Sequence, residues 1–511
     1  MIPEQSKTNR LILVFVFLKL LIQLLALHRY GFHRDEFLYL AETKHMSWGY
    51  LEVPPFTSFV GWVATHLFGD GIFAVRIFSL IAGTLVLYLA LKIIQLLGGQ
   101  KWAIIIGAIA MMISPAYLRS TGFFMPVVFN ILFWTSSCFF IVKLIRTQNR
   151  NYWYYLGIIG GIGLLNKYSI LFYFSGLLLG FLISKERLHF KSKEPYLAIL
   201  IGLLIAAPNL WWQFSHNFPI VHHMQELNET QLVNMNPGIF VVGQIVMLWL
   251  AFLIWIPGIY AFFGFKSLLP YKIFSVAYLV LITILLIGRG KDYYSLGAYP
   301  VLIAGGAIFW EKILKERATG KFVLIGTMIL LSVPIIPYGI PILPIEQART
   351  YMGKAAEIGF NSPLRWEDGE YYELPQDYAD MHGWEEMVHK VAKLYHSFSE
   401  EEKASLLIEG GGYHHAGPIN YYREKYDLPE SYSFSANFIL WIDENAKFDH
   451  MIIIDDWPNL DTSVFSNVVL IDSIENPYAR DPGYIIYRSE PKVDLPALWN
   501  RLVKERRAWL E

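Results

Sequence analysis

Eleven apolar stretches of spanning or near-spanning length limit what this chain can fold into. They run roughly over 11–28, 72–97, 102–118, 124–145, 152–165, 168–184, 195–214, 238–264, 272–289, 294–314 and 320–338. About 20 residues of helix cross the hydrocarbon core of a bilayer. In lipid every backbone N–H and C=O must be paired inside the protein, so each stretch has to be helical. The expectation is a polytopic α-helical membrane protein with about 11 transmembrane helices. The pair over 152–184 fits least well, because Gly160, Gly161 and Gly163 interrupt it and each half is short.

The basic residues orient these spans. With the N-terminus inside, the inside loops carry Lys92 and Lys101; Lys143, Arg146 and Arg150; Lys185, Arg187, Lys191 and Lys193; Lys266 and Lys272; Lys312, Lys315, Arg317 and Lys321. The outside loops hold fewer cations (Arg34, Lys44, Arg76, Arg119, Lys167, Arg289, Lys291), and the loop 215–237 has no Lys or Arg. This positive-inside pattern puts the loop 29–71 and everything after about 339 outside. Lys7 and Arg10 before an apolar run resemble a signal peptide. The run is long and no small-residue cleavage site follows it, so a retained signal-anchor helix is expected.

Composition agrees with a membrane protein. The chain is 54% hydrophobic and only 17% charged, against about 25% for a soluble one. Sixteen tryptophans and 31 tyrosines suit aromatic belts at the membrane surfaces. A net charge of −1 gives no reason to expect a nucleic-acid partner. The single cysteine, Cys138, rules out a disulfide within the chain.

The outer loop 29–71 concentrates chemistry where the first span leaves the bilayer. Tyr30-Gly31-Phe32-His33-Arg34-Asp35-Glu36-Phe37 sets a histidine, a cation and two adjacent carboxylates at a membrane surface. Neighbours on a helix point about 100° apart, so Asp35 and Glu36 cannot do the same job. One can face a pocket while the other braces the backbone. Ionisable groups there are costly and mark a functional site, although an interfacial Arg–Asp pair closing a helix end reads equally well. The loop is expected to hold an interfacial amphipathic helix, a rigid break at Glu52-Val53-Pro54-Pro55, and then the next span. Arg34, Lys167, Arg289 and Lys291 all fall at outer ends of spans. Each alone reads as a snorkelling anchor; together they suggest an anion pocket.

After about 339 charges and turns rise. Helix-like stretches (384–396, 420–425, 495–507) alternate with short strand-like runs (406–408, 451–454, 468–471), which argues a small α/β domain of about 165 residues. Ser399 with Glu402 reads as a capped helix start, and Glu409-Gly-Gly-Gly412 as a tight turn. The adjacent pairs His222-His223 and His414-His415 have poor spacing for shared metal ligation and read as surface residues.

With these residues in hand, the chain resembles bacterial glycosyltransferase family 39, multi-spanning enzymes related to protein O-mannosyltransferases and to the aminoarabinose transferase of lipid A. The likeness rests on His33-Arg34-Asp35-Glu36-Phe37 with Trp48-Gly49-Tyr50, Pro54-Pro55, Phe68-Gly69-Asp70 and Arg76; on Gly163-Leu-Leu-Asn166-Lys167-Tyr168-Ser169; on Pro208-Asn209-Leu210-Trp211-Trp212-Gln213; and on Gly290-Lys291-Asp292-Tyr293-Tyr294 with Ala298-Tyr299-Pro300. Leu374-Pro375-Gln376-Asp377-Tyr378-Ala379-Asp380-Met381 with Gly383-Trp384 extends it into the outer domain. One departure stands out. The family pattern leads one to expect an acidic residue near Phe129-Asn130-Ile131, where this chain has Asn130.

The resemblance implies a GT-C fold, with a transmembrane catalytic domain over 1–338 and an extracytoplasmic α/β domain over 339–511. It implies transfer of a sugar from a polyprenyl-phosphate-linked donor to a lipid, glycan or protein acceptor, by inversion, at the outer face of the bacterial inner membrane. Such a reaction needs a proton acceptor, charge balance on the departing phosphate and two substrates held in line. The resemblance assigns Asp35 as base or acceptor-orienting carboxylate and Glu36 as its structural partner. Arg34, Lys167 and Lys291, with Tyr293 or Tyr294, fall to the donor phosphate, and Glu52 and His33 to the sugar or acceptor. Asp35, Glu36 and Glu52 are hard oxygen ligands, but no metal or other cofactor is expected to be required. A secondary transporter also has many spans and buried charges; against it, no paired repeat halves are seen and the charges gather at one face. A catalytically inactive membrane scaffold would fit Asn130.

Overall fold

The computed structural model describes residues 2–230 and 232–510. Each of the eleven apolar stretches contains helix, though fewer than eleven helices have the length and apolarity of a span. Among the described residues, six helices are long and apolar enough to cross a membrane, or up to eight if each of two bent pairs is one span. The helices Tyr152–Leu164 and Ile170–Leu182 have only 13 residues each, and Tyr299–Leu314 has 16.

The bends explain part of the difference. Lys101–Met112 and Pro115–Thr121 meet at 67°, and Pro237–Val246 meets Trp249–Gly264 at 93°. Neither break shows in hydropathy, because the residues around it stay apolar. The two breaks repair each other. Ser114 Oγ donates to Ala110 O at 2.6 Å and to Leu248 O at 3.3 Å, and Ala116 N donates to Met247 O at 3.0 Å. Backbone groups freed at one bend thus find partners at the other, as membrane depth demands. Close helix contact is made by small residues: a β-carbon at Gly306 would collide with the Ile254 carbonyl oxygen, and one at Gly258 with that of Leu302.

The loop 29–71 holds two helices, Arg34–Lys44 and Phe56–Phe68, where one was expected. The first is not an open amphipathic helix but is covered by protein: Glu36 through Thr43 are all buried. Its cover comes from the C-terminal part of the chain, where the helix Tyr413–Tyr426 packs across it. Gly417 permits the approach, since a β-carbon there would lie 2.8 Å from Phe37 Cβ. Phe37 in turn meets the rings of Trp384, Tyr421 and Tyr422 at 6.5, 5.6 and 6.3 Å.

The C-terminal domain carries a five-stranded sheet. Its strands are β1 (Leu406–Gly410), β2 (Ser431–Tyr432), β3 (His450–Asp455), β4 (Phe465–Asp472) and β5 (Tyr484–Pro491), in the order β2-β1-β3-β5-β4. β1 pairs parallel with β2 and β3, while β5 runs antiparallel between β3 and β4. β5 escapes a hydropathy reading because its second half, Arg488-Ser489-Glu490-Pro491, is polar. Ser399 and Glu402 do form a reciprocal cap on the helix Glu400–Ala404.

Candidate active site

The buried helix Arg34–Lys44 begins with a reciprocal cap. His33 Nδ1 accepts from Asp35 N at 3.1 Å, and Glu36 Oε2 accepts from His33 N at 2.8 Å. Glu36 is fully buried and fully used. Arg76 Nε donates to its Oε1 at 2.9 Å and Nη2 to its Oε2 at 2.6 Å, and Phe124 N donates to Oε1 at 2.8 Å. Arg76 also donates to Leu27 O at 3.0 Å and Gly31 O at 2.7 Å. The pair locks the end of the first span, the start of this helix and the turn at Phe124 together. No atom of Glu36 is left for a substrate.

Asp35, one residue earlier, faces the other way, with its side chain 37% exposed. Tyr413 Oη donates to its Oδ1 at 2.6 Å. His33 Nδ1 and Arg34 Nε each lie 3.9 Å from it. Burial pushes the Asp35 carboxyl up, but His33, Arg34, the Tyr413 hydrogen bond and His414 outweigh that and hold it below the usual carboxylate range. It is therefore ionised at neutral pH. Arg34 is kept on this side: it lies over the Tyr413 ring at 5.5 Å, Nη1 is 3.8 Å from Asp380, and Nη2 is 3.2 Å from His414 Nδ1. The second nitrogen of buried His33 points at Asp380 (3.6 Å) and Asp377 (3.8 Å).

Lys167, Tyr293 and Tyr294 line one cavity with Asn130 and Ser169. Lys167 Nζ lies over the Tyr294 ring at 4.8 Å and the Tyr293 ring at 5.6 Å, and no carboxylate pairs with it among the described residues. Asn130 Nδ2 reaches Ser169 Oγ at 3.4 Å, while its Oδ1 is buried without a hydrogen-bond partner. Burial, then Tyr294, then the charge of Asp35 hold the Tyr293 phenol well above its ordinary value, so this cavity lies within electrostatic reach of Asp35. Lys291 is turned to Glu367 at 3.4 Å. Arg289 is exposed and donates to Val233 O at 3.0 Å. The four outer cations therefore do not share one pocket.

The motifs around this cavity hold the loop down. Thr57 Oγ1 donates to Asn166 Oδ1 at 3.2 Å, Tyr168 Oη to Asn209 Oδ1 at 2.6 Å, and Asn209 Nδ2 to Trp48 O at 2.8 Å. Two more carboxylates stand behind Asp35. Glu42 is fully buried and accepts from Ser58 Oγ and from Asn437 Nδ2, the latter at 2.6 Å. Burial, opposed by the Ser58 hydrogen bond and reinforced by Glu52, takes Glu42 to about 8. Burial, with Asp35 and Glu226, takes half-buried Glu52 to about 7.

Both groups hold a proton in the folded state that they lose when unfolded near pH 4.5. Their stabilising protonation is complete below that value and is lost as pH rises through about 7 and 8. We expect thermal melts of the purified protein to show stability falling across that window. Glu42→Gln keeps the hydrogen-bonding shape and should flatten the fall; an unchanged slope in that variant would reject this account.

Sequence reasoning did not find Tyr413, His414 or Asn437, which reach the loop from across the chain. His414 and His415, read as surface residues, are both buried. They open the helix that follows the Gly410–Gly412 turn, and that helix is pressed against the bundle. Alternating charge and apolarity around Gly412 carries no sign of a neighbour almost 380 positions away.

Comparison with known proteins now has a geometry to meet. A family model described as dolichyl-phosphate-mannose-protein mannosyltransferase matches residues 52–212, which starts beyond Asp35 and Glu36. Among curated proteins, the lipid A galacturonosyltransferase RgtD of Rhizobium johnstonii is 23% identical over 223 residues, covering 43% of this chain and 47% of that protein. The match thus spans about half the length of that relative. The crystal structure of ArnT from Cupriavidus metallidurans bound to undecaprenyl phosphate superposes with a TM-score of 0.63 at 12% identity, over 93% of this chain and 97% of that one. Its apo form gives 0.58 at 14% identity, over 95% and 98%. The fold is therefore the ArnT-like GT-C fold: a multi-pass helical membrane bundle with a small C-terminal sheet domain. The family model covers less than a third of this chain, so these likenesses show the fold.

Proposed function

We propose that the protein transfers a sugar from a polyprenyl-phosphate-linked donor to a lipid, glycan or protein acceptor. The positive-inside pattern supports an inside N-terminus in a bacterial cytoplasmic membrane and an outside C-terminal domain. The acceptor oxygen attacks the anomeric carbon from the face opposite the phosphate. The new C–O bond takes its electrons from that oxygen, and the polyprenyl phosphate leaves with the electrons of the bond that breaks. The acceptor's proton goes to Asp35, the ionised carboxylate with an open face. Where the acceptor is itself a phosphate, Asp35 orients it instead. Glu52 borders the sugar or acceptor, and Lys167, with Tyr293 and Tyr294, takes the phosphate; buried His33, expected beside the sugar or acceptor, instead caps the helix that carries Asp35. Arg34 stays beside Asp35, and Lys291, paired with Glu367, stands outside the cavity lining.

The observation that carries this reading is the uncompensated charge of Lys167. The cation is half-buried between two phenol rings, and the side chain across the cavity is the neutral amide Asn130. An amide there leaves the lysine's charge free for an anionic ligand. Charge-assisted hydrogen bonds of this kind are worth roughly 1.5–3 kcal/mol. Lys167→Ala should therefore weaken binding of undecaprenyl phosphate about 10–100-fold, and Asn130→Asp should weaken it in the same direction by neutralising the lysine.

The direct test is a transfer assay on the full-length protein in lipid. Radiolabelled undecaprenyl-phosphate mannose, glucose, aminoarabinose and galacturonic acid would be offered in turn. Turnover of one donor identifies the sugar. Absence of turnover with all four, together with no undecaprenyl phosphate binding in a thermal-shift assay, would remove the glycosyltransferase reading.

A further inference from the structure

The helix Tyr413–Tyr426 brings two imidazoles to one point. His414 Nε2 lies 3.1 Å from Asp481 Oδ2 and 3.3 Å from Asp456 Oδ1, and His415 Nε2 lies 3.2 Å from Asp481 Oδ1 and 3.4 Å from Asp456 Oδ1. The four groups offer one ligand atom each, all within 4.8 Å of one another. His414, His415 and Asp481 are buried, while Asp456 is half-exposed and gives access from solvent. Adjacent residues can converge because the turn at Gly412 enters the helix directly, so both rings swing back over the end of β3 toward Asp456 and the Asp481 loop.

We propose that these four side chains form a binding site for a divalent transition metal, Zn²⁺ by preference, in the C-terminal domain. Three observations support it. First, the spacing is near that of a metal shell: a tetrahedron with metal–ligand bonds of about 2.0–2.1 Å has edges of roughly 3.3–3.4 Å, Asp456 Oδ1 lies 3.3 and 3.4 Å from the two Nε2 atoms, and the two oxygens of Asp481 lie 3.1 and 3.2 Å from one each. Second, two imidazole nitrogens with two carboxylate oxygens suit zinc better than the all-oxygen shells of calcium or magnesium. Third, two carboxylates meet the two imidazoles at this point, and one of them, Asp481, is buried. A divalent cation balances both charges.

Occupancy carries a cost that reaches the candidate active site. A metal on Nε2 leaves Nδ1 protonated, and both Nδ1 atoms face donors: Arg34 Nη2 at 3.2 Å from His414, and Gly412 N at 3.3 Å from His415. Arg34 must then give up His414. The acceptors within reach are Asp380 Oδ1 at 3.8 Å and Asp35 Oδ1 at 3.9 Å. Metal loading thus leaves the guanidinium to Asp380 and Asp35, while the ion itself takes no part in bond making or breaking.

The test uses full-length protein in detergent, stripped with chelator and reloaded with Zn²⁺, with bound metal measured by mass spectrometry. Cobalt is substituted in parallel, because a tetrahedral N/O site gives intense visible bands. One tightly held zinc per chain is expected, falling to near zero in Asp456→Asn and in His415→Ala. Asp456 is half-exposed, so its variant should still fold if the His415 variant does not. His222→Ala with His223→Ala, which alters the chain's other adjacent histidine pair, should leave the metal in place. Absence of stoichiometric zinc from the wild type, its retention in folded Asp456→Asn, or its loss only in the His222/His223 variant would each overturn the proposal.

Discussion

Asp35→Asn is expected to lower sugar transfer by roughly 10²–10⁴-fold, the usual contribution of a positioned general base, while the protein folds and inserts as before. The substitution is chosen because an amide oxygen can still accept from Tyr413 Oη, so the contact between loop and C-terminal domain survives. What is lost is the charge that His33, Arg34 and His414 hold ionised. Turnover measured beside a thermal melt separates the outcomes. A folded variant that transfers at the wild-type rate would take Asp35 out of the chemistry. If the acceptor is a phosphate that needs no base, the loss should appear mainly in KM for that acceptor.

Breaking the Glu36–Arg76 pair is expected to be the most damaging change to the fold. Removing one member of a buried ion pair costs about 3–5 kcal/mol, because the survivor is left charged without a partner. Here the cost is compounded. Glu36→Ala would also deprive His33 N and Phe124 N of their acceptor, and Arg76→Met would release the Leu27 and Gly31 carbonyls. Either single variant should lose much of its folded yield in detergent. The double variant should be less destabilised than the sum of the two, since neither charge is then stranded. Melting within about 1 kcal/mol of wild type for Glu36→Ala would show that the pair does not brace the loop.

The division between Asp35 and Glu36 was legible in the sequence because helix geometry forbids neighbours from sharing a task. Helix geometry alone did not say which one faced outward; the family resemblance assigned Asp35 to the chemistry, and Arg76 and Phe124 reach Glu36 from later in the chain. The spans were legible as apolar runs, but their number was not. Ser114 and Leu248 sit in sequence that stays apolar straight through two sharp bends. The helix Arg34–Lys44 read as interfacial because half its length is polar. Its burial depends on the helix Tyr413–Tyr426, and nothing near residue 40 announces a cover that arrives so late. Asn130 marked a departure from the family pattern, while its consequence, a lysine with no carboxylate partner, needed the fold.

The contact between Asp35 and Tyr413 also has a meaning in time. A ribosome makes residue 35 first and residue 413 only after 377 others lie between them. Until then the growing chain carries the carboxylate without the phenol that steadies it and without the helix that covers it. The candidate site is thus completed only in the last fifth of translation.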